Sequence, residues 1–348
     1  MQSKAVSIRA GIVLSAVWML LAATSGWAEA TVDAVPSDAA TVEVLAVRPG
    51  NIYMLTAQGI NVTVQTGPGG TVVVDPGPAS AAKGVLAAVS TIAITPIRFV
   101  IDTSADLELI GATRSVAAAG QNLLGLNGLD SAIARSASIP TGSSGAAIIM
   151  RQSVLAQMLS QPGVDYSAVP TETFTRPEYN FSLDGPIAVI WQPAAHSDGD
   201  AVVRFDRADV VATGAIFDQT RFPVIDLNNG GSIQGEINAL DEVINSLAFK
   251  PTPVWSNEGG TLVIPVRGPL SDLDGLVSYR DMVATVVARV QYYIDRGQSY
   301  RQIVAADPAQ GYHTRYGSDT GSWTTADFVE AVYKSLMNER KAHHGKRG

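Results

Sequence analysis

Hydrophobic and polar positions change rhythm twice along the chain. Thr41–Val47, Asn51–Ala57, Asn61–Thr66 and Thr71–Asp75 are short β-rich runs, two of them alternating with the period of two that predicts half-buried strands. Gly67-Pro68-Gly69-Gly70, between the last two, is a hairpin signal. The rhythm then turns helical over Ala79–Thr91, with a buried strand at Arg98–Asp102 and a second helix over Leu107–Ala119. A strand at Ala146–Met150 leads into a helix at Arg151–Ser160. A second β-rich block follows: Thr171–Thr175, Asn180–Leu183, Ile187–Gln192, Ala201–Asp206 and Asp209–Thr213. Then come a helix over Gly231–Phe249 and a strand at Thr261–Ile264. From Leu273 onward the signal is helical, clearest at Asp281–Arg296 and Thr325–Asn338. Strands then helices, twice over, predict an α+β protein with two sheets packed face to face and helices outside. The order of elements is roughly duplicated, without a sequence repeat of fixed period.

The two ends read differently. Lys4 and Arg9 precede the apolar stretch Ala10–Ala23, and Ala28-Glu29-Ala30 supplies a small-x-small cleavage pattern, so residues 1–30 are read as a secretory signal. The stretch is shorter than the roughly 20 apolar residues that a bilayer core requires. A mature chain beginning near Thr31 in a periplasm or outside the cell is expected, with no membrane contact after cleavage. Residues 31–42 read as a flexible leader, 43–270 as the main domain and 271–348 as a C-terminal helical extension. The Gly-, Ser- and Asn-rich segment Gly120–Gly145 reads as a loop over one end of the sandwich, and His343–Gly348 as a frayed terminus rather than a metal site.

Composition narrows the chemistry. With 46% hydrophobic and 16% charged residues among 348, the chain can bury a sizeable core and is not disordered. The net charge is −8 and no basic run is present, which argues against a nucleic-acid partner. The absence of cysteine excludes disulfides, thiolate metal sites, Cys nucleophiles and a lipid anchor through Cys. The four histidines, His196, His313, His343 and His344, limit any imidazole-based metal site. Gly142-Ser143-Ser144-Gly145 is one residue short of a nucleophile elbow, and Gly67–Gly70 lacks the Lys and Ser or Thr of a phosphate loop. Trp191, Trp255 and Trp323 read as core or loop anchors.

Several strings in order resemble the metallo-β-lactamase superfamily: Asn51-Ile-Tyr-Met-Leu55, Val74-Asp75-Pro-Gly77, Phe99-Val-Ile-Asp-Thr103, Ala195-His196-Ser-Asp-Gly-Asp200, Thr213-Gly214 and Phe222-Pro-Val-Ile-Asp226 with Gly230-Gly231-Ser232. The last string and the helical end resemble a secreted subgroup of zinc hydrolases with a C-terminal helical extension. The resemblance implies a four-layer αββα sandwich with the metal site at one edge of the paired sheets. Where the family carries His-x-His-x-Asp-His, this chain has Ser104, Asp106, Glu108 and Leu109. The next ligand position is kept as His196, the bridging Asp is replaced by Ala215, and the final His by Arg267 before Gly268-Pro269. Asp75 resembles a residue that braces the metal loop and is read as a structural buried carboxylate.

One of seven ligand positions thus keeps its residue. Leu and Ala cannot coordinate and a guanidinium repels a cation, so the second metal site is expected to be abolished. Ser104, Asp106 and His196 make a poor zinc set, with Asp106 and His196 the weak metal candidates; no cofactor is expected and zinc is disfavoured. Arg267 is expected beside Glu108 or Asp106, in electrostatic place of the second metal. The leading functional expectation is a pseudoenzyme that binds a small molecule or protein partner in a cleft formed by Ser104, Asp106, Glu108, His196 and Arg267. The first alternative is a hydrolase with residual or altered activity, through one metal or through Asp106 and Glu108 as an acid–base pair, with His196 the third catalytic candidate. Analogy with the secreted subgroup adds a second alternative, an accessory protein of a periplasmic oxidoreductase system.

Overall fold

The computed structural model of the chain describes residues 41–48, 51–121, 145–161, 170–248 and 260–345. The chain divides into Met1–Asp38 and Ala39–Gly348. The expected signal, most of the leader, most of the Gly120–Gly145 loop, Trp255 and the side chains of His343 and His344 lie outside the described residues.

Twelve strands among the described residues form two sheets. The first contains β1 (Glu43–Arg48), β2 (Ile52–Ala57), β3 (Ile60–Gln65), β4 (Thr71–Val74), β5 (Ile97–Asp102), β6 (Ala147–Arg151) and β7 (Glu172–Phe174), in sequence order. β1 to β4 form an antiparallel meander, and β4 to β7 run parallel. The parallel steps need crossovers, supplied by α1 (Ala82–Ile92), by α2 (Leu107–Ile110) with α3 (Thr113–Ala118), and by α4 (Gln152–Ser160). The second sheet has β8 (Glu178–Ser182), β9 (Pro186–Trp191), β10 (Ala201–Phe205), β11 (Val210–Ala212) and β12 (Leu262–Ile264), in the order β12-β11-β10-β9-β8. Its helices are α5 (Ile233–Ala248), α6 (Leu273–Asp295), α7 (Tyr300–Ala305), α8 (His313–Tyr316) and α9 (Thr325–Gly345).

Three apolar cores separate four layers. Val72, Val74, Ile101 and Ile149 of the first sheet meet Val189, Val203, Phe205 and Ile264 of the second. Val73, Val100 and Ile148, one residue out of phase, pack outward on Val85, Val116 and Val154 of the helices. Val202, Val211 and Val263 do the same on the other side, against Leu240, Tyr279, Val283 and Phe328. Successive residues of a strand therefore serve different cores, which is the αββα sandwich that the sequence implied. It also corrects the half-buried reading of the early strands: β3 and β4 are buried at every position, because helices cover the face that would otherwise meet water.

The helix expected over Leu107–Ala119 is two short helices. The Gly77 N–H donates to the Leu109 carbonyl at 2.6 Å and the Gly77 carbonyl accepts from the Ala112 N–H at 2.8 Å, so backbone from another segment replaces helical bonds at the break. α6 starts eight residues before its clearest sequence signal because Asp272 caps it, accepting from the Gly275 N–H at 3.0 Å. The C-terminal helices share one core with β11, β12 and α5. Among the described residues no helix is long and apolar enough to cross a membrane.

Candidate functional site

The carboxyl ends of β4, β5, β11 and β12 converge at one edge of the paired sheets. Asp75 directly follows β4, its backbone at φ 48° and its carboxylate buried. It accepts from the Thr103 N–H at 2.9 Å and the Thr103 hydroxyl at 2.6 Å, fixing the chain where it leaves β5. A Cβ on Gly214, just after β11, would stand 2.3 Å from that hydroxyl, so only glycine lets the two strand ends approach. Asp106 then caps α2, its Oδ1 accepting from the Glu108 N–H at 2.9 Å.

His196 sits in the loop between β9 and β10, and the segment leading into α5 holds that loop by backbone hydrogen bonds. The Ser232 N–H donates to the Ala194 carbonyl at 2.9 Å, and the Asp226 N–H to the His196 carbonyl at 2.8 Å. Cβ atoms on Gly231 and Gly235 would stand 2.1 Å from the His196 carbonyl oxygen and 1.8 Å from that of Ala194. Gly235→Ala is expected to push α5 off the loop and cost about 1–3 kcal/mol in urea unfolding, a typical overpacking penalty. A loss below about 0.5 kcal/mol would mean that the contact yields easily. The same loop is braced by Trp191, which donates to the Asp198 carbonyl at 2.8 Å and carries the Arg151 guanidinium 3.6 Å above its ring.

Two cavities share Asp106, His196 and Val224 as walls. The larger is a cleft of about 670 Å³, walled by Ser104, Asp106, Leu107, His196, the Asp226–Asn229 turn, and Trp323, Asp327, Glu330 and Lys334 from the C-terminal helices. The smaller has room of about 10 Å³ and is bounded by Asp106, Leu109, His196, Ala215 and Arg267, five of the seven positions where the resemblance places metal ligands, with Asp218 and Arg221. That is space for about one water.

Arg267 occupies this small site. Its guanidinium donates to Glu108 and, at 3.1 Å, to Asp218, whose side chain is only 4% exposed. Asp218 also takes Arg221 at 3.0 Å and both the N–H and hydroxyl of Thr220. Glu108 and Arg267 do not wall the large cleft; their mutual pairing and the Asp218 contact place them elsewhere. Of the expected cleft residues, Ser104, Asp106 and His196 do line it.

A second layer of carboxylates lies buried beneath. Burial pushes Asp75 up to about 7, opposed by hydrogen bonds from Thr103, and Asp200 to about 6, opposed first by its interaction with His196 and then by hydrogen bonds from Ser197. Asp102 and Glu236 are raised well above the usual range, chiefly by burial. Among the described residues, Asp200 Oδ1 and both Glu236 oxygens have no hydrogen-bond partner.

These residues do not fit a zinc ion. Leu109 and Ala215 offer no donor atom, Arg267 brings a permanent positive charge, and Glu108 is already neutralised by it. Among the described residues, no three His, Asp or Glu side chains are grouped so as to hold a metal. Sequence reasoning missed Asp218, which stands three residues after the Ala215 position, and the cleft wall supplied by Trp323, Asp327, Glu330 and Lys334. Their helical spacing, Asp327, Glu330 and Lys334 at three- and four-residue steps, was the available signal.

No family model matches the sequence, and no curated protein matches it. Solved structures do resemble it. A double mutant of the sec-alkyl sulfatase PisA1 superposes with a TM-score of 0.61 at 12% identity, over 85% of this chain and 50% of that one. The stereoselective inverting sec-alkylsulfatase Pisa1 from Pseudomonas sp. gives 0.57 at 13%, over 84% and 50%. A metallo-β-lactamase from Pontibacter korlensis gives 0.48 at 14%, over 69% and 99%. The chain spans half the length of the alkylsulfatases it matches. What they share with it is the metallo-β-lactamase fold.

Proposed function

We propose that this chain uses the metallo-β-lactamase fold as a binding scaffold, a periplasmic or secreted pseudoenzyme whose cleft takes a small molecule or a protein partner. The observation that carries the reading is Arg267, which stands among the family's ligand positions and bonds to both Glu108 and Asp218. Its charge does the electrostatic work that a dication would otherwise do for those carboxylates. The pairing of Glu108 with Arg267, off the lining of the cleft, supports binding over acid–base hydrolysis by Asp106 and Glu108.

The test is metal analysis of protein purified without chelator, followed by a zinc titration. Substoichiometric zinc and no saturable uptake are expected. One tightly held zinc per chain would overturn the reading.

A further inference from the structure

We infer that the cleft takes a neutral sugar of mono- or disaccharide size, an inference that rests on the binding reading above and names its ligand class. Three walls of the cleft carry unused donors and acceptors side by side. Gln157 and Gln161, one helical turn apart, each give one amide N–H to a backbone carbonyl at 3.3 Å. Among the described residues, the second N–H and the oxygen of each amide have no partner. On the turn, Asn228 uses its backbone N–H on Asp226, and its side-chain amide is likewise without a partner there. On α9, Lys334 and Glu330 share one contact at 2.6 Å, which leaves further ammonium N–H groups and a second carboxylate oxygen.

Charge does not select the ligand. Each carboxylate of the wall already has a donor: Asp106 the Glu108 N–H, Asp226 those of Asn228 and Asn229, Asp327 both groups of Thr324, and Glu330 the ammonium of Lys334. None is bare, so no cation is demanded, and with a single lysine among them they repel an anion. What remains is a mixed set of N–H groups and lone pairs. A hydroxyl gives one hydrogen and accepts at two lone pairs, so it matches either kind. A ring carrying several hydroxyls matches the three walls together. An ammonium ion brings no acceptor for the amide and lysine N–H groups, and an apolar ligand leaves both sets unpaired. The C–H face of a sugar also finds apolar surface, on Leu107, 55% exposed, and on the indole of Trp323. A volume of about 670 Å³ is in the range of small-molecule sites.

The experiment titrates the full chain by calorimetry with glucose, galactose, mannose, maltose, sucrose and trehalose, and with glucuronate and glucosamine as anionic and cationic relatives. Saturable one-to-one binding of at least one neutral sugar is expected, tighter than that of either charged relative. Gln161→Leu and Lys334→Met keep the bulk of each side chain and remove its polar end, and each should weaken that binding several-fold, because a site built to pair hydroxyls suffers when one partner is lost. Three results would each overturn the sugar inference while leaving the binding reading intact: no uptake of any of the six sugars, binding indifferent to both substitutions, or a charged relative that binds as tightly as the neutral sugars. Stoichiometric zinc in the metal titration would instead remove the reading on which it rests.

Discussion

Replacing Arg267 by Ala is expected to destabilise the protein by about 2–3 kcal/mol near neutral pH, measured by urea unfolding, the scale set by breaking one partner of a buried ion pair. The loss comes from Asp218 rather than Glu108. The Asp218 side chain is 4% exposed, so removing the guanidinium at 3.1 Å leaves a desolvated carboxylate with Arg221 as its remaining charged partner. Glu108 is 51% exposed, and water replaces most of what it loses. The retained Arg221 contact keeps the expected value below the upper end for a fully orphaned charge. Arg267→Met combined with Asp218→Asn should recover most of the loss, because an uncharged pair needs no counterion. If the single variant is as stable as the parent, or the double variant is worse than the single, Arg267 is not compensating a buried charge and the argument for metal replacement fails.

How much of this was legible in the sequence follows from physics. The strands and most helices were readable because β-branched runs and Ala-rich helical spacing are local signals. The break between α2 and α3 was not, because it depends on Gly77, a residue more than thirty positions away that takes over the Leu109 carbonyl. The degraded ligand set could be read by aligning short strings, since Ser104, Leu109, Ala215 and Arg267 occupy fixed places relative to strand ends. Asp218 escaped because its importance lies in a partner forty-nine residues later, and charge pairing at that separation leaves no local pattern. The cleft wall on α9 escaped for a similar reason. Asp327, Glu330 and Lys334 read as an ordinary solvated helix face until α9 is placed beside the loop carrying Ser104 and Asp106.

Stability is expected to fall as pH rises from about 4 to 7, the reverse of a protein whose carboxylates are well paired. Asp75 goes from an ordinary 3.8 to about 7 in the folded chain and Asp200 to about 6, both because burial penalises the charged form. A folded-state pKa above the unfolded one means that the native state holds the extra proton between the two values. Stability is therefore full below about pH 4 on this account and is lost as pH climbs through 6 and 7. At about 1.4 kcal/mol per unit, Asp75 alone gives a loss on the order of 4 kcal/mol. Asp200 is one of the charges that raises Asp75, so the two are one coupled set and their losses do not simply add. Self-repulsion in a chain of net charge −8 has the same sign, and a single substitution separates the two causes. Asp200→Asn keeps an oxygen for the Ser197 N–H and places an amide where Oδ1 now lacks a partner. It changes the net charge by one and removes one of the charges that raise Asp75. If burial is the cause, this variant matches the parent near pH 4, exceeds it at pH 7 and shows a shallower pH slope in urea unfolding. A slope unchanged from the parent would assign the effect to overall charge and leave the buried carboxylates without a role in it.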